Sequence, residues 1–388
     1  MIKKIAILGS TGSIGVKTLQ IIRTNKKEFN VILLSTNKNL YKIIKQAKEF
    51  NVKNIIINNY STFVRAKNKY KNLNINFYNS FDSLKKILAK NKLYYTMVSV
   101  VGLDGLDPTL KIIRYSKNIA IVNKESLICG WNLIKRELKK FKSNFIPIDS
   151  EHFSISELLY GSDTNNIEKV FITASGGPFL KHNKSMLSKV TLKDALNHPN
   201  WKMGKKISID SATMMNKVFE VIEAKNIFNI NYNKISILVH PKSYVHSMIK
   251  FYDGQIKILA HETDMKIPIH KSLYQKEIKK FSSKDLNLDI LNDLKFSKID
   301  DRFFPTIKIL QSMPVINSLY ETVLVTINDY LVSKFLKNKI KFEQLVYLIC
   351  KYSKLICFTK FKKFSVNNID NIYKTRDYVS FKLESLSI

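Results

Sequence analysis

At 388 residues the chain is too long for one ordinary hydrophobic core, and with 45% hydrophobic residues it can fill two or three. Its net charge of +33 would suit nucleic acid, but only six basic residues are Arg and the lysines are dispersed, which excludes the clustered-Arg pattern of such readers and leaves a field for small anions. Three cysteines without metal or disulfide spacing, no apolar run of membrane length, and a motif beginning at Gly9 that leaves no room for a leader predict a cytoplasmic chain with no membrane partner.

In the first 150 residues, short apolar runs alternate with segments of helical spacing. "KIAIL", "FNVILLS", "VKNIIIN", "YTMVSVVG", "NIAIVN" and "FIPI" are the strands this predicts, and "IGVKTLQIIRTN" and "GLDPTLKIIRYSK" are among the helices. Strand and helix in alternation predict a Rossmann-like parallel sheet covered on both faces. All seven His fall between residues 152 and 270, which places the chemistry in the middle of the chain. Beyond about residue 300, stretches such as "VINSLYETVLVTINDYLVSKFL" read as helices. The domain expectation is therefore 1–149, an α/β segment over 150–275 with a loop around 197–206, a polar linker over 276–300, and a helical domain over 301–388.

The segment "IAILGSTGSIG" follows a strand and opens a helix, with glycines at 9, 12 and 15. That context lets backbone N–H groups and a helix N-terminus approach a pyrophosphate. At the end of the second strand an NAD site places an acid for the ribose hydroxyls. Here "STNKN", Ser35 to Asn39, offers a lysine among amides, which suits a 2′-phosphate and favours NADPH over NADH. "AIVNKESL" is another strand end, with Asn123, Lys124 and Glu125 at the sheet edge where α/β proteins bind ligands.

"IPIDSEH" runs an apolar strand, Phe145 to Ile148, straight into Asp149, Ser150, Glu151 and His152. If the strand continued, alternation would set Asp149 and Glu151 on one face with Cα atoms about 6 to 7 Å apart. Either the strand has run out into water, or a positive group sits between them. In "SIDSATMMNKVFEVIEA", Ser211 can cap a helix, and Asn216, Lys217 and Glu220 share one helix face. Glu220 is then either an ordinary surface acid or a third carboxylate for one hard cation. An oxygen-only donor set points to Mg²⁺ or Mn²⁺, with Co²⁺ admitted, and away from structural zinc.

Two loops complete the candidates. "TASGGPF" puts Ser175 in a glycine turn able to hydrogen-bond a phosphate, and "NHPNWKMGKK" gathers His198, Trp201, Met203 and Gly204 in an irregular stretch. An exposed Trp in such a stretch is either a lid over a ligand or a packing anchor. His240 and His246, in a strand-like segment with apolar neighbours, read as structural.

Taken in order, "GSTGSIG", "NKESL", "PIDSEH", "SGGPF", "HPNWKMGKKISIDSATMMNK" and the later "DM..PI" resemble the 1-deoxy-D-xylulose 5-phosphate reductoisomerase family, closely over residues 1 to about 275 and weakly in the tail. The resemblance implies a homodimeric enzyme that rearranges a small sugar phosphate on a divalent metal and then reduces it with NADPH. It implies Asp149, Glu151 and Glu220 as metal ligands, Lys124 and Ser150 as substrate-orienting groups, and Ser175, Ser211, Asn216 and Lys217 as the phosphate grip. His198, Trp201 and Met203 would form the closing loop. Gly9, Ser10, Thr11, Gly12, Ser13, Ile14 and Gly15, with Asn37, Lys38, Asn39, Asn123, Glu125 and Gly204, would hold NADPH. The chain departs from the family pattern at Asn37, at Asp329, and at Val218 and Phe219, whose bulk bears on the placing of Glu220.

Overall fold

The computed structural model describes residues 2–89, 92–275 and 277–386; residues 1, 276 and 388, where expected domain limits fall, lie outside them. The chain forms two compact units. The first comprises Met1–Leu127, Leu133–Asp149 and Met265–Phe281. Its strands are β1 (Lys3–Leu8), β2 (Phe29–Thr36), β3 (Asn54–Ile57), β4 (Asn76–Tyr78), β5 (Leu93–Val98), β6 (Ser116–Ile121) and β7 (Asn144–Pro147). They pair in parallel in the order β4-β3-β2-β1-β5-β6-β7. Near-continuous apolar runs such as Ile5 to Leu8 are fully buried, as a sheet covered on both faces requires. The order reverses between β1 and β5, and open α/β sheets bind ligands beyond the carboxyl ends of their strands at such a point.

Six of the seven strands were expected. β4, three residues long, carries too short an alternation to announce itself. The expected strand Phe145–Ile148 is in fact Asn144–Pro147, and a helix, Ser150–Leu158, begins directly after Asp149. Glu151 therefore sits in a first helical turn, so strand alternation is not what brings it near Asp149. The helix Lys266–Tyr274 packs into the first unit rather than ending the middle one. Ile269, Leu273 and Tyr274 are buried in its core, Tyr95 Oη meets Ser272 Oγ at 2.7 Å, and Asn25 donates to Tyr274 Oη at 2.8 Å.

The second unit comprises Ile128–Asn132, Ser150–Asp264 and Ser282–Ile388. Its mixed sheet runs β11 (Ile256–Ala260), β10 (Val245–Phe251), β8 (Ile167–Ala174), β9 (Ile235–Val239) and β12 (Ser297–Lys298). The tail helices, led by Tyr320–Leu336, belong to this same unit instead of standing apart over 301–388. The expected linker is not featureless either: it holds the helix Leu288–Asn292 and β12, which pairs with β9. Ser211 lies inside the helix Lys205–Ala212 and does not cap the next one; Met214, in the left-handed region at φ 62°, stands before Met215–Phe228.

Candidate active site

In the first unit the glycine turn is wired to the end of β2. Gly9 N–H donates to Ser35 Oγ at 2.9 Å, Ser10 Oγ to Gln46 Oε1 at 2.8 Å, and Thr11 Oγ1 meets Thr36 Oγ1 at 2.8 Å. Gly9 has φ +83°, and a Cβ there would stand 2.6 Å from Ser99 O at the end of β5. A Cβ at Gly15 would stand 2.5 Å from Ser10 Cα, so both positions exclude any side chain. Gly12 precedes the helix Ser13–Thr24 and supplies no side-chain cap, which leaves the first-turn amides of Ser13, Ile14 and Gly15 to an incoming anion.

At the β2 end, Asn37 and Lys38 are exposed, while Asn39 caps the next helix by accepting from Lys42 N–H at 3.1 Å. Lys42 was not anticipated. Its ammonium donates to Thr11 O at 2.9 Å and adds a second cation beside Lys38 at this corner; its place one turn into a helix gave no local signal. Asn123 is almost wholly committed to structure, its carbonyl capping Ser126 N–H and its amide donating to Val100 O and Gly102 O. Glu125 is buried in the first turn of the helix Lys124–Phe141, and Lys124 Nζ pairs with Asp149.

In the second unit, Lys217 is the organising charge. Its side chain is 5% exposed, and its ammonium meets Glu151 Oε1 at 2.8 Å, Glu220 and the carbonyl of Thr173. Burial pulls this group towards neutrality, but Glu151 and Glu220 outweigh it and hold the ammonium above its ordinary range. Asn216 Nδ2 donates to Glu220 Oε1, so the expected shared face is observed, and Glu220 at 1% exposure is no surface acid. Val218 and Phe219, fully buried on the flanking faces, are accommodated without turning Glu220 away from Lys217.

Ser150 donates from Oγ to Glu151, and the Glu151 carbonyl accepts from Ser247 Oγ at 3.0 Å. Asp149 is the seam residue, joined by one peptide bond to Ser150. One oxygen each of Asp149, Glu151 and Glu220 lies within 4.8 Å of the others. Around an octahedral Mg²⁺ neighbouring oxygens stand about 3 Å apart and opposite ones about 4.2 Å, so the three would have to draw inward to share a hard dication. The positive charge expected between Asp149 and Glu151 is not one shared ion pair: Lys217 bridges Glu151 and Glu220, and Asp149 pairs with Lys124.

His198 and Ser175 form a second cluster. His198 Nδ1 accepts from Asn200 N–H at 3.2 Å and Trp201 N–H at 3.0 Å, which leaves the proton on Nε2, 3.0 Å from Ser175 Oγ. Ser175 Oγ also accepts from Gly177 N–H at 3.0 Å, so its own hydroxyl hydrogen is directed outward as a donor. Burial, and then the Lys217 charge, push His198 down to about 4, and it stays neutral at physiological pH. Of the loop expected over 197–206, residues 197–204 are irregular, whereas Lys205 and Lys206 already open the helix Lys205–Ala212; Met203 is half-buried. Asn200 Nδ2 ties the loop to Pro241 O at 2.6 Å, and the Trp201 ring lies edge-on to His246 at 6.0 Å. Gly204 precedes the helix Lys205–Ala212, within which Ser211 is half-buried. His240 and His246 are buried, with Nδ1 of the first meeting Lys295 O and Nε2 of the second meeting His261 O, the structural role expected of them.

A seven-stranded parallel sheet with a glycine turn at its switch point is the architecture of nicotinamide-dependent oxidoreductases, here in a chain that also carries a cluster of three carboxylates. The sequence profile of 1-deoxy-D-xylulose 5-phosphate reductoisomerase matches residues 5–130, and profiles of its C-terminal domains match 145–228 and 261–379. The chain belongs to the 1-deoxy-D-xylulose 5-phosphate reductoisomerase family. It is 52% identical to the reductoisomerase of Pelagibacter ubique over the full length of both chains, and 38% identical to that of Clostridium novyi over 98% of this chain and 99% of the other. It is also similar to the reductoisomerase of Zymomonas mobilis in complex with NADPH (29% identity, TM-score 0.87, all of both chains). A second solved reductoisomerase, in complex with NADPH, fosmidomycin and magnesium, is similar at 30% identity and TM-score 0.91 over 99% of this chain and 98% of the other.

Proposed function

We propose that Asp149, Glu151 and Glu220 hold a divalent cation, that Lys124 and Ser150 orient the substrate beside it, and that Ser175, Ser211, Asn216 and Lys217 grip the substrate phosphate. The reaction is the family's: NADPH- and metal-dependent conversion of 1-deoxy-D-xylulose 5-phosphate to 2-C-methyl-D-erythritol 4-phosphate, for isoprenoid precursors. The observation that carries the residue roles is the convergence of three carboxylates, one oxygen of each within 4.8 Å of the others.

A dication bound there supplies Lewis-acid polarisation to oxygens of the substrate. Lys124, next to Asp149, offers donors to a substrate oxygen, and the outward hydroxyl of Ser175 offers one to a phosphate. With a dication on the carboxylates, the Lys217 ammonium becomes available to the same phosphate. Neutral His198 holds Ser175 through its Nε2–H and, through Nδ1, the backbone of the loop that carries Trp201; closure of that loop excludes water from reactive intermediates. Gly9 to Gly15 with Asn37, Lys38 and Asn39 take the NADPH phosphates and ribose; Asn123, Glu125 and Gly204 support the same site, Asn123 by shaping the backbone.

The decisive assay follows NADPH absorbance with 1-deoxy-D-xylulose 5-phosphate and Mg²⁺. Consumption should require both and should stop with excess chelator; oxidation indifferent to the chelator would remove the cation from the site.

The small-anion substrate fits the dispersed positive charge, and three free thiols fit a cytoplasmic chain. Homodimerisation is supported by β11, an edge strand among the described residues, whose Ile256 and Ile258, 60% and 48% exposed, share one face. A bare apolar edge invites pairing with a second copy. Sedimentation should give the mass of two chains, and Ile258→Lys should shift it towards one; a monomeric parent chain would end that reading.

A further inference from the structure

The helices Lys205–Ala212 and Met215–Phe228 carry Ser211, Asn216, Lys217 and Glu220, yet the turn between them is strained. Met214 holds φ 62°, a left-handed conformation that a side-chain-bearing residue rarely adopts. Thr306 Oγ1 braces the turn by donating to Thr213 O at 2.6 Å. The side on which the helix Tyr320–Leu336 lies has a second brace.

Lys206, in the first turn of the helix Lys205–Ala212, places its ammonium 2.9 Å from Asp210 Oδ2 and 3.0 Å from Asp329 Oδ1. The same ammonium stands 5.4 Å from the centre of the Phe219 ring. One cation thus touches all three helices. Asp210 is 3% exposed and also accepts from Asn328 Nδ2 at 2.8 Å, so its buried charge is compensated by Lys206 and by a neighbour of Asp329. Asp210 adjoins Ser211, and Phe219 adjoins Glu220. The clasp therefore acts one residue away from a phosphate-binding hydroxyl on one helix and one residue away from a metal-binding acid on the other.

We infer that Lys206 is a positioning residue for the reaction: its ammonium, held by Asp210 and Asp329 over Phe219, sets the mutual angle of the two helices that grip the substrate phosphate. This rests on the proposed phosphate role of Ser211, Asn216 and Lys217. Lys206 touches no reacting atom. Its removal leaves the Asp210 carboxylate buried without its cation, and the strained turn relaxes at the expense of the phosphate grip. Misplacement of binding groups by about 1 Å is enough to cost tenfold or more.

The test is steady-state kinetics of the full-length protein with both substrates, with NADPH affinity by fluorescence and a melting curve for each variant. Lys206→Met should raise KM for the sugar phosphate about tenfold or more while NADPH affinity stays within twofold, and Lys206→Arg should recover most of the loss. A sugar-phosphate KM within twofold of the parent in Lys206→Met overturns the inference. Equal impairment in Met and Arg variants, or a parallel loss of NADPH affinity, overturns it too, by pointing to shape or to global unfolding. Ser211→Ala runs beside it: an unchanged KM there sinks the phosphate assignment, whereas a raised KM there with an unchanged Lys206→Met sinks the clasp alone.

Discussion

Glu220→Gln should lower turnover about a thousandfold or more while leaving NADPH affinity within twofold. The substitution preserves shape, and the new amide oxygen can still accept from Asn216 Nδ2, as Glu220 does. What it removes is one of the three negative charges that converge there. Without it Lys217 loses one of the two acids it bridges, and the cluster offers a dication two carboxylates in place of three. Losing a charge aimed at the reacting centre of a buried site costs about 10² to 10⁴ in rate, and here the cation is lost with it. The nucleotide turn lies in the other unit, so its affinity is a control for the fold. Single-turnover kinetics and NADPH titration decide the matter. A rate within threefold of the parent, or a weakened NADPH affinity, would show that Glu220 does not serve the cation.

The second large effect is on stability. Glu321, in the first turn of the helix Tyr320–Leu336, is fully buried, with Ser318 N–H at 3.0 Å, Ser318 Oγ at 2.8 Å and Asn317 Nδ2 at 3.2 Å as its donors. Burial pushes its carboxyl up to about 7, against the lowering pull of those bonds and of the Lys225 charge. Between the ordinary carboxyl value, about 4.5, and 7 the folded chain holds a proton that the unfolded chain has released. Stability therefore falls as pH rises through that window and is level above it, by at most about 3 kcal/mol at 1.36 kcal/mol per unit. Glu321→Gln keeps the neutral form at every pH. The melting temperature of the parent chain should drop by several degrees from about pH 5 to pH 8 relative to the variant, and the variant should be the more stable of the two at pH 8. Parallel melting curves across that range would mean that Glu321 ionises freely in the fold.

These sites differ in how much of each was legible beforehand. The nucleotide turn was plain because its cause is local: Gly9 and Gly15 are required by contacts within one strand, one turn and the start of one helix, with only Ser99 arriving from elsewhere. The cation site was half legible. Spacing put Asn216, Lys217 and Glu220 on one face, and the order of motifs tied them to Asp149 and Glu151. Spacing alone still left Glu220 as a surface acid, because its burial comes from packing that no local window contains. Glu151 was assigned to the right cluster through the wrong geometry, since "IPIDSEH" gives no sign that the strand stops at Pro147 and a helix starts at Ser150.

By itself the chain's order of residues determined the alternating strands and helices and the glycine turn, and it singled out the acids and bases proposed for the chemistry. Those features have periods of two or 3.6 residues, or fixed short spacings, and the backbone geometry that produces them acts within a few residues. Only the tertiary structure decided that Lys266–Tyr274 returns to the first unit, that Lys217 bridges Glu151 and Glu220, and that Lys206 joins three helices. Each of these depends on groups that are distant in the chain and meet only after the cores have closed, where burying a charge obliges it to find its opposite.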